Sequence, residues 1–272
     1  MSDKVRSQSH FDTAAPTYDT NFTHTKIGMM QRSRVHYFLE QEILTSSKLS
    51  ILEINCGTGV DALWLASKGN RVTATDASAK MIEVAKQKVS ASTNSNLVFQ
   101  QAEFSALKVK YSGEKFDLIF SNFGGLNCVN EIELENLLHN FNALLNPNGR
   151  LVLVIMGRKC VWERVYFLLK GNFKNAIRRM SKDAVVANIG EGTMQNTYYF
   201  SPREIKNVAP TKFQHLTTKP IGLFVPPSYL DNFFKNKKIV LGFLFRLEKM
   251  TGNFSFFSDY ADHYFIAFKK PE

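Results

Sequence analysis

Short apolar runs alternate with amphipathic stretches through the middle of this chain. The runs predict five buried strands at residues 49–54, 71–75, 96–101, 116–121 and 150–156. Helical spacing of apolar residues predicts helices at residues 61–68, after a capping Ser78, and at residues 131–145. Strands that alternate with helices indicate parallel βαβ units in a doubly wound sheet.

The alternation stops after Gly157 and resumes near the end of the chain. Residues 158–196 are basic, aromatic and partly helical, with Trp162, Tyr166, Leu169 and Phe173 expected on one side. Two further strands are predicted at residues 213–221 and 263–269, with a helix at 230–250 between them. Ser201 and Pro202 have the pattern of a helix start.

These elements predict an α/β fold with a Rossmann-like, doubly wound and mostly parallel sheet of seven strands. Residues 1–45 are assigned to an N-terminal helical cap, because their apolar spacing is helical. Residues 46–157 and 200–272 are assigned to the core, and residues 158–199 to a basic and aromatic lid inserted after the fifth strand. Both additions are expected over the carboxyl ends of the strands, where such sheets bind ligands.

Charge and cysteine content limit the choice of partners and compartment. The net charge of the 272-residue chain is +10, and eight basic residues between Arg158 and Lys182 face only one acid, Glu163. Such a patch suits a phosphate-bearing small molecule, an acidic carrier protein, an anionic lipid surface or RNA, or it is simply a solvated face. Three scattered cysteines match no disulfide framework and no zinc site, which favours a reducing cytoplasm and predicts no metal.

No membrane-spanning segment or signal peptide is predicted. No apolar run approaches the roughly 20 residues that a membrane helix needs, and the first residues lack the apolar stretch of a signal peptide.

A glycine turn, Gly57-Thr58-Gly59, separates the first strand from the first predicted helix of the core. Together with Asp76 it fits a dinucleotide fingerprint, but any ribosyl cofactor requires a similar layout. Glu53 distinguishes between a dinucleotide and S-adenosylmethionine. A carboxylate ahead of the turn repels the pyrophosphate of a dinucleotide and attracts an amino group and a sulfonium. The turn therefore favours S-adenosylmethionine over NAD, unless Glu53 simply points to solvent.

Five segments in order resemble the motifs of class I S-adenosylmethionine-dependent methyltransferases. They are "LEINCGTGV" at 52–60, "VTATDAS" at 72–78, "FQQAEFSAL" at 99–107, "FDLIFSNFGGLNCV" at 116–129 and "LNPNGRLVLVI" at 145–155. The opening "FDTAAPTYDTNF" at 11–22 resembles methyltransferases of the quinone and biotin pathways, in which this segment folds over the cofactor.

The resemblance implies specific cofactor contacts. Asp76 would hold the ribose hydroxyls, Glu103 the adenine amine, and Tyr18 would lie near the methionine end. The implied cofactor-binding residues are Tyr18, Glu53, Asn55, Cys56, Gly57, Gly59, Asp76, Ala77, Glu103, Phe104, Asn122 and Phe123.

Two residues depart from the family pattern. Asn55 stands where the pattern has glycine, and Glu103 stands where it has aspartate. Asparagine tolerates positive φ, so Asn55 is predicted to adopt a glycine-like conformation, or else the turn lies farther from the cofactor.

The acceptor is less well defined by the sequence. Methyl transfer is an in-line displacement that needs a base only when the acceptor must lose a proton. His24 and Tyr18 are the candidate catalytic residues, and Tyr166, Tyr198 and Tyr199 are candidates for acceptor binding, whereas His215 and His263 are expected to lie away from the site.

We expect a methyltransferase for a small aromatic or acyl-type acceptor, with oxygen as the favoured atom. Alternatives are a carrier-protein-bound acyl acceptor, an RNA acceptor and a non-catalytic cofactor binder. Asn122-Phe123-Gly124-Gly125 does not match the Asn/Asp-Pro-Pro-Tyr element of DNA adenine methyltransferases, so DNA is not expected.

Overall fold

A seven-stranded sheet forms the centre of the molecule in the computed structural model, which describes residues 11–44, 48–89, 96–188 and 193–272. Its strand order is β3-β2-β1-β4-β5-β9-β8, and β9 runs in the direction opposite to the other six strands. The strands are β1 Ser50–Ile54, β2 Arg71–Asp76, β3 Leu97–Gln101, β4 Phe116–Ser121, β5 Leu145–Met156, β8 Gln214–Ile221 and β9 His263–Lys269, with a separate hairpin of β6 Val185–Asn188 and β7 Met194–Thr197. The predicted Rossmann-like sheet is confirmed.

Helices cover both faces of this sheet. In chain order they are α1 Lys26–Glu42, α2 Val60–Ser67, α3 Ala79–Gln87, α4 Leu107–Lys110, α5 Glu131–Leu144, α6 Val161–Leu169, α7 Phe173–Ala176, α8 Pro202–Val208, α9 Asp231–Phe234 and α10 Lys238–Thr251. Apolar side chains of α1, α2 and α3 pack on one face, and those of α4, α5 and α8 on the other. Among the described residues, no helix has both the length and the apolar character needed to cross a bilayer.

Local signals explain where several helices begin. The predicted cap at Ser78 is confirmed, since its hydroxyl accepts a hydrogen bond from Met81 N. Ser201 and Glu204 form a capping box with Pro202 in the first turn of α8, as predicted. An unpredicted capping box of Asn130 and Glu133 starts α5.

The N-terminal cap is less regular than the helical spacing suggested. Residues 11–14 form one helical turn, Asp19–Thr23 a π-helical turn, and α1 starts only after Thr25, whose hydroxyl accepts from Gly28 N. Of the predicted cap, residues 1–10 and residue 45 lie outside the described residues, as do residues 189–192 of the predicted lid.

Two other expectations need correction. The predicted helix at 230–250 is interrupted, because Lys237 leaves helical geometry (ψ 49°) where its N–H bonds to Phe234 O. Trp162 and Tyr166 pack inward, but Leu169 and Phe173 are 84% and 71% exposed. Helix α6 ends at Leu169 and the chain turns through Gly171 at φ 66°, which breaks the predicted stripe.

Candidate cofactor and acceptor site

The turn after β1 contains three residues with positive φ: Asn55 at 50°, Gly57 at 54° and Gly59 at 79°. The predicted glycine-like conformation of Asn55 is confirmed. A Cβ at Gly59 would lie 2.6 Å from the Phe99 ring, so this glycine is required by packing against β3.

The side chain of Asn55 joins this turn to the end of β4. Its Nδ2 donates to Asn122 O at 2.8 Å, and its Oδ1 accepts from Ser121 Oγ at 2.6 Å. The amide fills the space beside Gly125, where a Cβ would lie 2.3 Å from Asn55 Cγ. Asn55 therefore replaces a glycine and at the same time links two loops at the edge of the sheet.

Asp76 at the end of β2 is held by two backbone groups. Its Oδ2 accepts from Gly57 N and its Oδ1 from Ser78 N, both at 2.9 Å. Burial raises the pKa of Asp76 against the lowering effect of these bonds. Ser78 Oγ in turn donates to Asp12, so the N-terminal segment is tied to the start of α3 beside this carboxylate.

Two more carboxylates lie beneath the turn. Glu53 is 1% exposed, its Oε2 has no hydrogen-bond partner among the described residues, and burial raises its pKa, with Asp61 and Asp76 adding to the rise. Asp61 lies in the first turn of α2 and is also buried. A helix start surrounded by three acids does not suit the phosphate groups that helix N-termini usually bind.

Asp61 also holds helix α1 against the core. It accepts from Arg32 NH1 and His36 Nε2 of α1, each at 2.7 Å, and from Asn122 Nδ2 at 2.8 Å. Burial alone would raise the pKa of Asp61, but these partners outweigh it and lower the pKa to about 2. His36 further stacks on Trp64 of α2 with ring centroids 3.8 Å apart.

The N-terminal segment forms another wall of the site. Tyr18 and Phe22 pack together, and Phe22 contacts Phe123 of the loop after β4. Asp19 accepts from Thr58 Oγ1 at 2.6 Å and pairs with Lys88. Burial alone would raise the pKa of Asp19, yet these two partners lower it.

These elements enclose a cavity of about 1200 Å³ at the carboxyl edge of the parallel strands. Its wall includes most of the residues that the sequence assigned to the cofactor: Tyr18, Asn55, Cys56, Gly57, Asp76, Ala77, Glu103, Phe104, Asn122 and Phe123. Tyr198 and Tyr199 line it as well.

Four predicted site residues lie outside the cavity wall. Glu53 lies in β1, Gly59 packs against Phe99 of β3, and Tyr166 packs on Tyr229, which itself lines the cavity. His24 is exposed at the end of the π-helical turn, so its assignment as a base has no support from this arrangement.

His263, expected to lie away from the site, is in the cavity wall. Because β9 is antiparallel, its first residue pairs with the last residue of β5, Met156, at the carboxyl edge of the sheet. His263 is buried, its ring contacts Phe123, and its Nδ1 lies 3.2 Å from Asp262 Oδ2 at an angle outside hydrogen-bond geometry. Burial alone would raise the pKa of Asp262, but His263 and Arg179 hold it well below its usual range.

Several charges of the basic segment are used inside the protein, contrary to the expectation of an open patch. Arg179 is buried between Glu163 Oε2 at 2.8 Å and Asp262 Oδ1 at 2.9 Å. Arg178 also bonds to Glu163, and Arg158 bonds to Glu204. The sequence shows the excess of positive charge but not these partners, two of which lie far away along the chain.

The three cysteines are unpaired thiols. Cys56 and Cys160 are buried and Cys128 is partly buried. Burial raises the pKa of Cys128 and of Cys160 to about 12, and that of Cys56 well above its ordinary value.

Residues 51–149 match a family model described as a methyltransferase domain. A malonyl-[acyl-carrier protein] O-methyltransferase of Ilyobacter polytropus is 27% identical over 164 residues, which are 59% of this chain and 56% of that protein. A ubiquinone biosynthesis O-methyltransferase of Bartonella tribocorum is 28% identical over 61% of this chain and 60% of its own length. The chain thus spans less than two thirds of the length of these curated relatives.

Solved structures resemble almost the whole chain. A magnesium protoporphyrin IX methyltransferase of Synechocystis, with bound SAH, has a TM-score of 0.63 at 16% identity and covers 98% of this chain and 99% of its own. The CcbJ methyltransferase of Streptomyces caelestis has a TM-score of 0.62 at 12% identity, with 97% and 99% covered. At such identities the likeness shows the fold.

Proposed function

Because this chain belongs to the class I S-adenosylmethionine-dependent methyltransferases, we propose that it transfers the methyl group of S-adenosylmethionine to a small-molecule acceptor. The acceptor is of aromatic or acyl type, and oxygen is the proposed acceptor atom. A cytoplasmic location remains part of the proposal.

The observation that carries the cofactor assignment is the set of carboxylates around the glycine turn. Asp76 faces the cavity with both oxygens positioned by backbone N–H groups, which leaves lone pairs for ribose hydroxyls. Asp61, whose pKa is lowered to about 2, adds an ionised carboxylate in the first turn of α2, also in the cavity wall. This field favours a cofactor with an ammonium and a sulfonium group and disfavours a pyrophosphate.

The acceptor chemistry that we propose is an in-line displacement at the methyl carbon. In the proposed reaction an acceptor oxygen attacks the methyl carbon, the carbon–sulfur bond breaks, and its electron pair remains on sulfur as S-adenosylhomocysteine. We propose His263, a titratable side chain of the cavity wall, as the base that takes a proton from a phenolic acceptor. A carboxylate acceptor would have no proton to lose and would not need this histidine.

An acyl group on an acidic carrier protein is the second candidate. The malonyl-carrier methyltransferase relative favours it, and so do the exposed Lys170, Lys174 and Lys182 of the basic segment. Alanine at these three lysines should weaken turnover of a carrier-bound acyl group and leave turnover of a free small acceptor unchanged. High salt should reproduce the first effect.

Calorimetry tests the proposed cofactor directly. We expect binding of S-adenosylmethionine and S-adenosylhomocysteine and no binding of NAD; the reverse pattern would refute the proposal. Release of S-adenosylhomocysteine in the presence of phenols and carboxylic acids then identifies the acceptor class. A His263→Asn variant should lose turnover of a phenol but keep turnover of a carboxylate.

Asp76→Asn should weaken the binding of S-adenosylhomocysteine by roughly 1–3 kcal/mol, because one charged acceptor for the ribose hydroxyls is lost. Calorimetry measures the change, and thermal unfolding reports whether the turn is intact. Glu135→Gln is the matched control, since Glu135 is exposed on α5 and outside the cavity wall. Equal affinity of Asp76→Asn and wild type would remove Asp76 from the site.

A further inference from the structure

Helix α10 carries apolar side chains on the face that points away from the core. Ile239, Phe243 and Met250 recur at helical spacing and are 90%, 58% and 71% exposed. Leu241 and Glu248 occupy the opposite face and are buried. Glu248 fixes this orientation, because its carboxylate accepts hydrogen bonds from the backbone of Gly222, Phe224 and Val225.

Positive charge surrounds this apolar stripe. We call the combined surface the basic apolar face; it comprises Phe233, Lys235, Lys237, Lys238, Ile239, Val240, Phe243, Arg246, Lys249 and Met250, all exposed. In the stretch 232–250, Glu248 is the one acidic residue, and it is buried. The exposed charges of this stretch are therefore all positive.

Exposed apolar side chains flanked by cations match one kind of surface better than others. The interface of an anionic bilayer accepts the apolar side chains among its acyl chains and attracts the cations with its headgroups. An acidic protein would neutralise the lysines but would leave Ile239 and Phe243 against charged groups. Lysine and arginine stems can also extend along the apolar surface while their charges stay in water.

We propose that the basic apolar face binds the surface of an anionic lipid bilayer, with α10 lying in the interface. Tyr229, partly exposed just before α9, lines the cavity and packs against Tyr166 of α6. Tyr229 lies four residues before Phe233, so the chain runs from the cavity wall directly into the basic apolar face.

Co-sedimentation with vesicles tests this proposal without cofactor or acceptor, so its outcome is independent of the proposed methyl transfer. The protein is expected to bind mixed vesicles that contain equal amounts of phosphatidylglycerol and phosphatidylcholine. It should bind vesicles of phosphatidylcholine alone much more weakly. Binding should weaken as salt rises above ~0.1 M, where the Debye length is about 10 Å.

Ile239→Ser/Phe243→Ser should lower the partition coefficient on the mixed vesicles by roughly tenfold or more, because two apolar side chains no longer enter the interface. Val109→Ser/Ile132→Ser is the matched control: both residues are exposed apolar positions, on α4 and α5. The control should bind as wild type does.

Lys238→Glu/Lys249→Glu should also abolish most of the binding to the mixed vesicles. Lys108→Glu/Lys212→Glu makes the same change in net charge at exposed positions elsewhere and should reduce the binding far less.

Absence of vesicle binding by wild type would overturn the proposal. So would equal binding by Ile239→Ser/Phe243→Ser and wild type, which would indicate a purely electrostatic surface. Light scattering distinguishes the other explanation. If wild type is a dimer and Ile239→Ser/Phe243→Ser is a monomer, the basic apolar face is an interface between two copies, and the proposal is wrong.

Discussion

At the scale of single residues, Asn55 shows how one side chain can compensate for the loss of a glycine. Asn55 and Phe123 both have positive φ, a conformation that costs non-glycine residues roughly 1–2 kcal/mol. The hydrogen bonds of Asn55 to Ser121 and Asn122 hold this conformation in place. The backbone of Asn55 could be predicted from its residue type, but its partners at the end of β4 and just after it could not, because they lie 66 and 67 positions away along the chain.

Gly125→Ala should destabilise the protein by roughly 1–3 kcal/mol and weaken S-adenosylhomocysteine binding. The new Cβ would lie 2.3 Å from Asn55 Cγ, so the amide must move and its hydrogen bonds must break. Urea unfolding measures the first effect and calorimetry the second.

Two comparisons make that result specific. Gly113→Ala is the control, because nothing lies within 4 Å of a Cβ at that position. Adding Asn55→Gly to Gly125→Ala should restore most of the lost stability, since the clashing amide is then absent. A Gly125→Ala variant as stable as wild type would contradict the proposed contact.

At the scale of elements, Asp61 fastens α1 to α2 through Arg32 and His36. Its folded pKa of about 2 lies below the ordinary value of 3.8. The stabilisation is therefore fully present above pH 4 and is lost as the pH falls towards 2. We expect the free energy of unfolding to fall by about 1 kcal/mol from this group between pH 6 and pH 3.

Asp61→Asn should remove this part of the acid dependence and should destabilise the protein at pH 7 by roughly 3 kcal/mol, because Arg32 is left without its buried partner. Urea unfolding at pH 6 and pH 3 measures both effects. Asp183→Asn, at an exposed position, should show the wild-type dependence. An unchanged acid slope in Asp61→Asn would show that other carboxylates control it.

The sequence predicted the seven strands well because buried parallel strands are continuous apolar runs with turn residues between them. The β6–β7 hairpin was missed, since each strand has only four residues and β7, Met-Gln-Asn-Thr, has no apolar run. The interruption at Lys237 was missed because the helical spacing of apolar residues continues across it. The position of His263 was misjudged for a topological reason: the direction of β9, which brings its first residue to the site, cannot be deduced from the residues of that strand.

At the scale of the whole molecule, the excess positive charge is divided between two uses. In the segment between β5 and β8, Arg158, Arg178 and Arg179 join that segment to itself and to the core. Around α10, the lysines and Arg246 remain exposed. A net charge of +10 is visible in the sequence, but only the fold distinguishes cations that are paired internally from those that can attract a partner.

Arg179→Ala should destabilise the protein by roughly 3–5 kcal/mol, because Glu163 and Asp262 would remain buried without their shared cation. Chemical unfolding measures the change, and Lys182→Ala, an exposed neighbour, should have no measurable effect. Loss of activity in an Arg179→Ala variant would therefore report loss of structure rather than loss of a docking charge. Equal stability of the two variants would contradict this buried role.

The unpaired cysteines have a practical consequence for experiments on this protein. The thiolate is the form that reacts with maleimides and disulfides, and a thiol with a pKa of about 12 holds very little thiolate near neutral pH. The native thiols should therefore label slowly, so that a single cysteine introduced on the surface can carry a fluorophore without their prior removal. A dye at position 239 would then report directly whether α10 enters an apolar phase.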